Sequence, residues 1–385
     1  MQAVALRIER VKFKDFRSYE RLELGGLGAL TVFVGPNAVG KSNIVEGVQM
    51  ITAHTSFRHA TIDQMIRKGA AASCLEARAG DENRSLDFKV TLSAHSKKYE
   101  LNGKPKRPAD LRGLVPSVTF TPDDLELVKG SMSTRRAALD ALGSQINANY
   151  HTIRRDYEKV LRHKNALLKE EASPLLIASI DEMVITCGAQ LSCYRSALFA
   201  RLRPHFESNY GSIAGGREAL AVHYVPSWAN FDPDHPETHE FTRDEARVAI
   251  ERALEERRAE ERARRRCLVG PHLDTIHFAV DGMDATHFAS QGQQRSIVLS
   301  CKLAEAAVIE EVLGQKPVLL LDDVMSELDG ARREALVDYV SEEVQTFVTT
   351  ANLAYFDAAM LARADIVELC GETMGSPARL LHESR

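Results

Sequence analysis

The chain has 385 residues, of which 44% are hydrophobic and 27% charged, a globular composition long enough for two or three packed units. The formal net charge of −5 excludes an overall basic bias, so any contact with DNA must come from local patches. Six scattered cysteines without a Cys-x-x-Cys pair favour reduced thiols over a disulfide framework or zinc site. With neither a signal-peptide pattern nor a run of 18 apolar residues, we expect a cytoplasmic protein without a membrane span.

The first hundred residues alternate between apolar and polar side chains, which predicts an antiparallel β-layer. Asn102-Gly103 is a strong hairpin signal within it. A further short strand is expected at Val115–Thr121. From about Ser131 to Phe206 the apolar spacing becomes helical, so we expect an all-helical insert here.

The second half of the chain returns to mixed α/β character. Residues 207–241 are rich in glycine and proline, and we expect them to be mostly irregular. Thr242–Glu245 is a capping box that opens a helix with a charged, solvated end at Arg264–Arg266. Strands are expected at Thr275–Val280 and Thr346–Thr350.

The most informative stretch is an apolar run, Leu30–Val34, followed by Gly-x-x-x-x-Gly-Lys-Ser and an amphipathic helical pattern. This strand–loop–helix order is typical of a P-loop, whose backbone N–H groups and helix N-terminus bind phosphate oxygens. Lys41 is predicted to reach the β- and γ-phosphates of ATP, and Ser42 to hold Mg²⁺. The predicted nucleotide-binding residues are Gly35, Pro36, Asn37, Ala38, Val39, Gly40, Lys41, Ser42 and Asn43.

A second motif is the apolar run Val318–Leu321, which ends in two carboxylates. A buried strand that ends in an acid places a carboxylate near Mg²⁺ in P-loop proteins. We therefore predict Asp322 as the metal residue and Asp323 as the general base that polarises the attacking water. More than two hundred residues separate Lys41 from Asp322, which favours a head-type ATPase whose lobes are interrupted by an arm.

A third motif opens a helix shortly before that strand. A small residue, a glycine and exposed N–H groups at a helix start can bind an anion, as the signature helix of ABC ATPases does. In that class the signature of one subunit closes over the γ-phosphate held by the other, so this chemistry needs a dimer. The predicted residues are Ser290, Gln291, Gly292, Gln293, Gln294 and Arg295.

These motifs, in this order, resemble the RecF family of bacterial recombination mediators, ABC-type ATPases related to SMC heads. Gly35–Asn43 looks like the family's Walker A segment, and Leu321–Asp329 resembles its Walker B segment running into the D-loop. Ser133–Asp140, Tyr157–Leu168 and Gly270–Arg295 are similar to three further family blocks. The resemblance covers nearly the whole chain.

The resemblance implies the architecture of an ABC ATPase head. Lobe I, an α/β P-loop core with an antiparallel β-layer, is expected at residues 1–125 and 268–385. A mostly helical lobe II is expected as an insertion at residues 126–267.

The same resemblance implies an ATP-driven homodimer that clamps DNA and releases it on slow, DNA-stimulated hydrolysis. Such a protein supports recombinase loading at single-strand gaps and the SOS response, with RecO- and RecR-like partners. The chain departs from the family where Leu273-Asp274-Thr275 replaces the usual Arg-Asp-Asp. It also lacks the switch histidine of many ABC proteins and has Thr349-Thr350 at the end of the corresponding strand.

DNA binding is expected to be independent of sequence, because no base-reading module is recognisable. The candidate phosphate ligands on or near the helical insert are Arg135, Arg136, Arg154, Arg155, Arg162 and Lys164. Two alternatives remain open at this point. One is another SMC-like head ATPase, and the other is a P-loop kinase or GTPase that acts on a small molecule.

Overall fold

The computed structural model describes residues 6–94, 96–229, 241–340 and 344–369, together with the backbone of residues 379–381. The chain forms two compact units. The first comprises Met1–Asp124 and Glu305–Arg385, and the second comprises Leu125–Ala304.

This division differs from the expected one in the assignment of residues 268–304. We expected them to continue the ATPase core, but they belong to the second unit. The reason is strand pairing, since Thr275–Val280 pairs along its length with Leu220–Val225. Arg135 Nη1 also donates to the carbonyl of Ile276 at 2.5 Å. Both contacts join segments that are distant in sequence, so no local sequence pattern predicts them.

The described residues contain the following strands and helices. The strands are β1 (Arg7–Phe16), β2 (Tyr19–Gly25), β3 (Leu30–Val34), β4 (Ala72–Gly80), β5 (Ser85–Ser93), β6 (Ser96–Leu101), β7 (Lys104–Lys106), β8 (Ser117–Phe120), β9 (Leu220–Val225), β10 (Thr275–Val280), β11 (Met283–Asp284), β12 (Val318–Asp322), β13 (Thr346–Thr350), β14 (Asp365–Glu368) and β15 (Arg379–Leu381). The helices are α1 (Lys41–Thr52), α2 (Ile62–Met65), α3 (Pro108–Leu111), α4 (Glu126–Lys129), α5 (Met132–Ile146), α6 (Ala148–Lys169), α7 (Pro174–Ile213), α8 (Arg243–Arg264), α9 (Ala285–Phe288), α10 (Gln291–Leu313), α11 (Gly330–Tyr339) and α12 (Ala358–Leu361).

The first unit contains the expected antiparallel sheet, with strand order β2-β1-β4-β5-β6-β7. Alternation along β1 buries Val11 and Phe13, and a register irregularity between Ile8 and Arg10 lets Ile8 be buried as well. The hairpin predicted at Asn102-Gly103 joins β6 to β7, whose pairing begins at Leu101 and Lys104. One face of this sheet therefore belongs to the core of the unit.

The second sheet of this unit has the order β15-β14-β3-β13-β12-β8, and β14, β3, β13, β12 and β8 are parallel. Helix α1 contacts strands of both sheets, including β12, β13 and β4. A Cβ atom at Gly47 would lie 2.4 Å from the ring of Phe13. Glycine at this position therefore lets α1 pack closely against the antiparallel sheet, which fixes the helix that follows the P-loop.

The second unit comprises helices α4 to α9, the first part of α10 and a small sheet of order β11-β10-β9. Helix α7 packs against both α6 and α8. The expectation that residues 207–241 are mostly irregular was wrong at two places. Helix α7 continues to Ile213, and β9 follows, with Leu220, Val222 and Tyr224 buried. The strand is short and lies between glycines and prolines, which hid its alternation. Residues 230–240 of that stretch lie outside the described residues.

A buried network of charged and hydroxyl groups holds the second unit together. Arg195 pairs with Asp140 at 2.8 Å and with Asp274 at 3.2 Å. The hydroxyl of Tyr150 donates to Asp140 at 2.7 Å, and that of Tyr224 donates to Asp274. Burial raises the pKa of Asp274, although Arg195 acts in the opposite direction. Asp274, within the segment that departs from the family pattern, thus ties α7 to β9.

Among the described residues, one helix, Pro174–Ile213, is long and apolar enough by composition to cross a membrane. Core helices of packed domains share this composition. In this chain the helix lies against α6 and α8 and carries two buried charged residues, Asp181 and Arg195. We therefore describe it as the central helix of the second unit.

A second buried ion cluster joins α6, α7 and α8. Lys164 is fully buried, and its Nζ lies 2.8 Å from Asp181 and 2.7 Å from Glu261. Burial acts to lower the pKa of Lys164, but the surrounding acidic groups outweigh it and the net effect is a raised pKa. The amine is therefore a charged structural group between three helices.

Replacing this lysine tests its structural role. Lys164→Met keeps most of the side-chain volume but leaves two buried carboxylates facing each other, which costs about 3–5 kcal/mol of unfolding free energy. Urea denaturation followed by circular dichroism measures it. Lys159→Met, at an exposed site on the same helix, is the control. If the unfolding free energy of Lys164→Met lay within about 0.5 kcal/mol of wild type, this structural role would be contradicted.

Candidate functional site

The predicted phosphate loop and the two carboxylates meet at one edge of the parallel sheet. Strand β13 lies between β3 and β12, and Thr349 is in register with Phe33 on one side and Asp322 on the other. The segments that follow β3 and β12 therefore leave the sheet at the same level. In open α/β sheets, this carboxyl edge is where ligands bind.

The loop between β3 and α1 has the backbone geometry of a phosphate cradle. Gly40 adopts φ 106° as the N-cap of α1, a left-handed conformation that favours glycine. Lys41 folds back over the loop, and its Nζ donates to the carbonyls of Gly35 at 2.7 Å and Pro36 at 2.8 Å. The lysine amine therefore lies over the concave side of the loop, where phosphate oxygens bind in P-loops.

Charge and burial act together on Lys41. Burial lowers the pKa of its amine, while the negative charges of Asp323 and Asp322 act in the opposite direction. Burial also raises the pKa of Asp323, and the charge of Lys41 acts to lower it. The loop lysine and the two carboxylates therefore belong to one electrostatic cluster within the first unit.

Thr349 holds both carboxylate residues in place. Its hydroxyl donates to Asp322 Oδ1 at 2.7 Å and accepts the N–H of Asp323 at 3.0 Å. Asp323 has φ 54°, a left-handed conformation that costs energy in a non-glycine residue. The backbone therefore bends at Asp323, directly after the last residue of β12.

The turn between β1 and β2 closes on the loop from the other side. Asn43 Nδ2 donates to Ser18 Oγ at 2.9 Å. Arg17 donates to the fully buried Glu46 of α1 at 2.8 and 2.6 Å. A Cβ atom at Gly40 would lie within 3.0 Å of both Ser18 Oγ and the Tyr19 hydroxyl. These partners were missed by sequence reasoning, because no spacing pattern links residues 17–19 to the loop.

The donors present fit a magnesium nucleotide. Mg²⁺ prefers a few protein oxygens, with phosphates and water supplying the rest. The predicted Mg²⁺ ligands are the hydroxyl of Ser42, at the start of α1, and the carboxylate of Asp322, at the end of β12. Within the part of the chain described, no group of three or more His, Cys, Asp or Glu residues could hold a metal alone. A metal at this site would therefore be bound together with the phosphates.

The predicted signature residues lie in the second unit, at the start of α10. Ser290 and Gln293 cap the helix reciprocally, with Gln293 Oε1 accepting from Ser290 N at 2.7 Å and Ser290 Oγ accepting from Gln293 N at 3.2 Å. Gln294 Nε2 donates to the carbonyl of Ala289 at 2.7 Å, while Ser290 and Gln291 are exposed. The motif is therefore a capped helix start whose first two residues face solvent.

Two of the six basic DNA candidates are unsuited to a surface role. Arg135 is 2% exposed and donates to the carbonyls of Leu127 and Val128 at 2.7 Å, and its guanidinium lies over the ring of Phe278. Lys164 is buried among α6, α7 and α8, as described above. The helical pattern did not show that these positions face inward, so both expectations are corrected to structural roles.

The other four candidates differ in exposure. Arg155 and Arg162 are exposed on α6, where Arg155 lies 3.5 Å from Asp156 and Arg154 pairs with Glu158 at 3.3 Å. Arg136 is partly buried and donates to the carbonyl of Asp274 at 2.6 Å. Arg155 and Arg162 are therefore the candidates best placed to meet a phosphate backbone.

Comparison with known proteins decides the family. The family described as RecF/RecN/SMC N terminal domain matches residues 7–368. "DNA replication and repair protein RecF" of Gloeobacter violaceus is 33% identical over 377 residues, covering 96% of this chain and 98% of that protein. The relative of the same name from Halalkalibacterium halodurans is 34% identical, covering 94% and 98%. The chain belongs to the RecF family.

Solved structures agree with this membership. The recombination mediator protein RecF with ATPrS, in the RecFOR pathway, is 25% identical, with a TM-score of 0.86 and 98% of each chain covered. The Smc head domain of Pyrococcus furiosus is 16% identical, with a TM-score of 0.54 and coverage of 98% of this chain and 96% of that one. The second likeness concerns the fold alone, and together they confirm the predicted ABC ATPase head fold.

The raised pKa of Asp323 predicts a trade-off between stability and chemistry. The pKa of Asp323 is higher in the folded state than in the unfolded state. The ionised carboxylate therefore destabilises the native state at neutral pH. Asp323→Asn should therefore raise the melting temperature at pH 7.5. This gain should shrink as the pH falls toward the ordinary pKa of an aspartate, because the wild-type carboxyl then becomes protonated. ATP hydrolysis should fall about 10²–10⁴-fold.

Thermal melts and phosphate release measure the two effects. Asp338→Asn, which changes an exposed acid on α11, is the matched control. A variant that melts lower than wild type at pH 7.5, or that still hydrolyses ATP at the wild-type rate, would contradict this role for Asp323.

Proposed function

We propose that this chain is an ATP-dependent DNA-binding protein of replication and recombinational repair. In this proposal ATP joins two copies into a clamp on DNA, and slow hydrolysis releases it. The supporting observation is the arrangement of the motifs. The loop at Gly35–Asn43 and the acids Asp322 and Asp323 share one sheet edge, and Ser290–Arg295 lies at a helix start in the second unit where Ser290 and Gln291 are exposed.

ATP is the nucleotide that this proposal places on the loop. Solved structures of RecF relatives carry ATP or ATPrS, at 25% identity over 98% of this chain. Loop N–H groups and Lys41 would bind the phosphates, and Ser42 and Asp322 would hold Mg²⁺, which would neutralise phosphate charge.

Asp323 is the proposed general base for hydrolysis. Its carboxylate belongs to the same electrostatic cluster as Lys41, and its raised pKa brings its basicity closer to neutrality. Aspartate reaches one methylene less far than glutamate, so we expect its contact with the attacking water to be poorer. Slow turnover suits a protein in which the bound nucleotide acts as a switch.

The dimer follows from the proposed role of the signature helix. Ser290 and Gln291 are exposed at a capped helix start, whose N–H groups and partial positive charge suit a phosphate. We propose that Ser290–Arg295 of one copy closes over the γ-phosphate bound by the other. Each composite site then needs both copies, which makes dimerisation dependent on ATP.

DNA contact is proposed through exposed basic groups of the second unit, foremost Arg155 and Arg162, without reading of bases. Relatives are named as DNA replication and repair proteins, and one solved RecF structure is placed in the RecFOR pathway. We also propose a cytoplasmic location and RecO- and RecR-like partners. Its roles would be recombinase loading at single-strand gaps and support of SOS induction.

Sedimentation tests the clamp directly. Wild type should sediment as a monomer without nucleotide, and as a dimer that retains gapped duplex with ATP and Mg²⁺. Ser290→Arg should still bind ATP but remain monomeric, because the added cation and bulk block the helix start. Ser212→Arg, at an exposed site of the same unit, should behave like wild type. A wild type that stays monomeric and ignores DNA would refute the proposal.

The salt dependence of DNA binding tests the arginine assignment. Replacing both Arg155 and Arg162 by alanine should weaken binding at every DNA sequence and lower the slope of log K against log salt by about 2. Fluorescence anisotropy at several salt concentrations measures this. The matched control replaces Arg84 and Arg107, which pair locally with Asp81 and Asp110. Equal slopes in both double variants would show that Arg155 and Arg162 do not contact DNA.

A further inference from the structure

The turn between α7 and β9 carries an acid that contacts the predicted signature helix. Glu218 is half-buried, and each of its carboxylate oxygens has its own partner. Oε1 accepts from Gln293 Nε2 at 3.1 Å, and Oε2 accepts from the hydroxyl of Tyr210 at 2.8 Å. All three residues belong to the second unit. Glu218 is therefore bonded to the helix start through which the proposed dimer closes, without being part of that motif.

Glu218 is held in place from two sides. Tyr210 is fully buried near the end of α7, so its hydroxyl fixes one carboxylate oxygen from within the core. The next residue, Ala219, donates its N–H to Asp281 Oδ1 at 2.8 Å and accepts the N–H of Asp281 at 2.9 Å. The turn that carries Glu218 is therefore tied both to α7 and to the residue that follows β10. A side chain supported in this way can orient its neighbour, because its own position is fixed.

The side-chain amide of Gln293 can point either way, and Glu218 determines which way it points. An ionised carboxylate only accepts hydrogen bonds, so the amide turns its Nε2 toward Glu218 and its Oε1 toward the helix start. Oε1 then accepts the N–H of Ser290 at 2.7 Å. In the reverse orientation, Oε1 would face a carboxylate oxygen and Nε2 would face an N–H, so both contacts would be repulsive. The acid therefore keeps the amide in the orientation that caps α10.

The cap in turn fixes the hydroxyl of Ser290. Its Oγ accepts from Gln293 N at 3.2 Å, which is the other half of the reciprocal cap. A hydroxyl that accepts in this way keeps its own proton to donate. Because Ser290 is exposed, this proton is available to an acceptor outside the chain, such as a phosphate oxygen. Glu218 thus acts on the Ser290 hydroxyl through Gln293.

We propose that Glu218 is a positioning residue, which holds Gln293, and through it Ser290, in the orientation that binds the γ-phosphate carried by a second copy. This inference rests on the proposed function, since it requires that Ser290–Arg295 closes over that phosphate. Charge and orientation make opposite predictions here. A carboxylate near a phosphate-binding helix start repels the phosphate, so its removal would strengthen a contact governed by charge alone. A contact governed by orientation weakens instead.

Three substitutions at Glu218 separate orientation from charge. Glu218→Gln keeps an oxygen that accepts from Gln293 and an N–H that can donate to the Tyr210 hydroxyl, so ATP-dependent dimerisation should stay near wild type. Glu218→Lys offers only donors, so the Gln293 amide reverses and the cap at Ser290 is lost. The dissociation constant of the dimer with ATP and Mg²⁺ should then rise about 10- to 30-fold, because both composite sites lose a cap. Glu218→Met, which removes the acceptors without adding charge, should lie between the two. Sedimentation equilibrium measures all three.

Hydrogen exchange in the nucleotide-free protein gives a readout that does not depend on dimerisation. The amides of Ser290 and Gln293 should exchange faster in Glu218→Lys and Glu218→Met than in wild type and Glu218→Gln. Glu207→Ala is the matched control, because Glu207 is also a half-buried acid of the second unit, and its Oε1 accepts from Val222 N in β9 at 3.2 Å. It should dimerise with ATP and exchange at the start of α10 like wild type.

Several outcomes would overturn the inference. One is dimerisation of Glu218→Lys or Glu218→Met that is as tight as wild type or tighter. Another is a loss in Glu218→Gln as large as that in Glu218→Lys, which would make the charge and not the amide orientation the cause. Unchanged exchange at the start of α10, or an equal loss in Glu207→Ala, would also contradict it. Failure of wild type to dimerise with ATP, despite the expected exchange differences, would instead refute the proposed function, so the two failures are distinguishable.

Discussion

The parallel ladder β3–β13–β12 is the constraint on which the candidate site depends. Its register sets Phe33, Thr349 and Asp322 side by side. Thr349 then holds the acidic residues through its hydroxyl, which donates to Asp322 and accepts from the Asp323 N–H. A register shift of one residue would turn these side chains to the opposite face of the sheet. The loop and the acids, distant in sequence, are therefore brought to one edge by backbone pairing.

Charge is used differently in the two units. In the first unit, Lys41, Asp322 and Asp323 influence one another at an edge that a ligand can reach. Burial lowers the pKa of Lys41 and raises that of Asp323, and the attraction between the amine and the acids opposes both shifts. In the second unit, the ion pairs of Arg195 and Lys164 are buried and tie elements together. Buried pairs of this kind are weak evidence for stability but costly to break. The basic residues of the second unit therefore fall into two groups, those buried in structural ion pairs and those exposed at the surface.

Much of the fold was predictable because its signals are local. Alternation indicated β1 and β2, the Gly-Lys-Ser motif marked the start of α1, and the capping box at Thr242 marked the start of α8. The boundaries of the second unit were not predictable, because they depend on the pairing of β9 with β10. Inward-facing Arg135 and Lys164 were mistaken for surface groups, since charge alone does not tell which side of a helix is buried. Tyr19 was missed because its position beside Gly40 exists only in three dimensions.

The central claim is that each ATP site is completed by a second copy of the chain. Mixing two inactive variants tests it most directly. Lys41→Ala has no working loop, and Ser290→Arg has no working signature, but a mixed dimer contains one intact composite site. Measured with ATP, Mg²⁺ and gapped DNA, each variant alone should be inactive, while random pairing should restore up to about a quarter of wild-type ATP hydrolysis. A mixture as inactive as its components, or full activity of Ser290→Arg alone, would contradict the account.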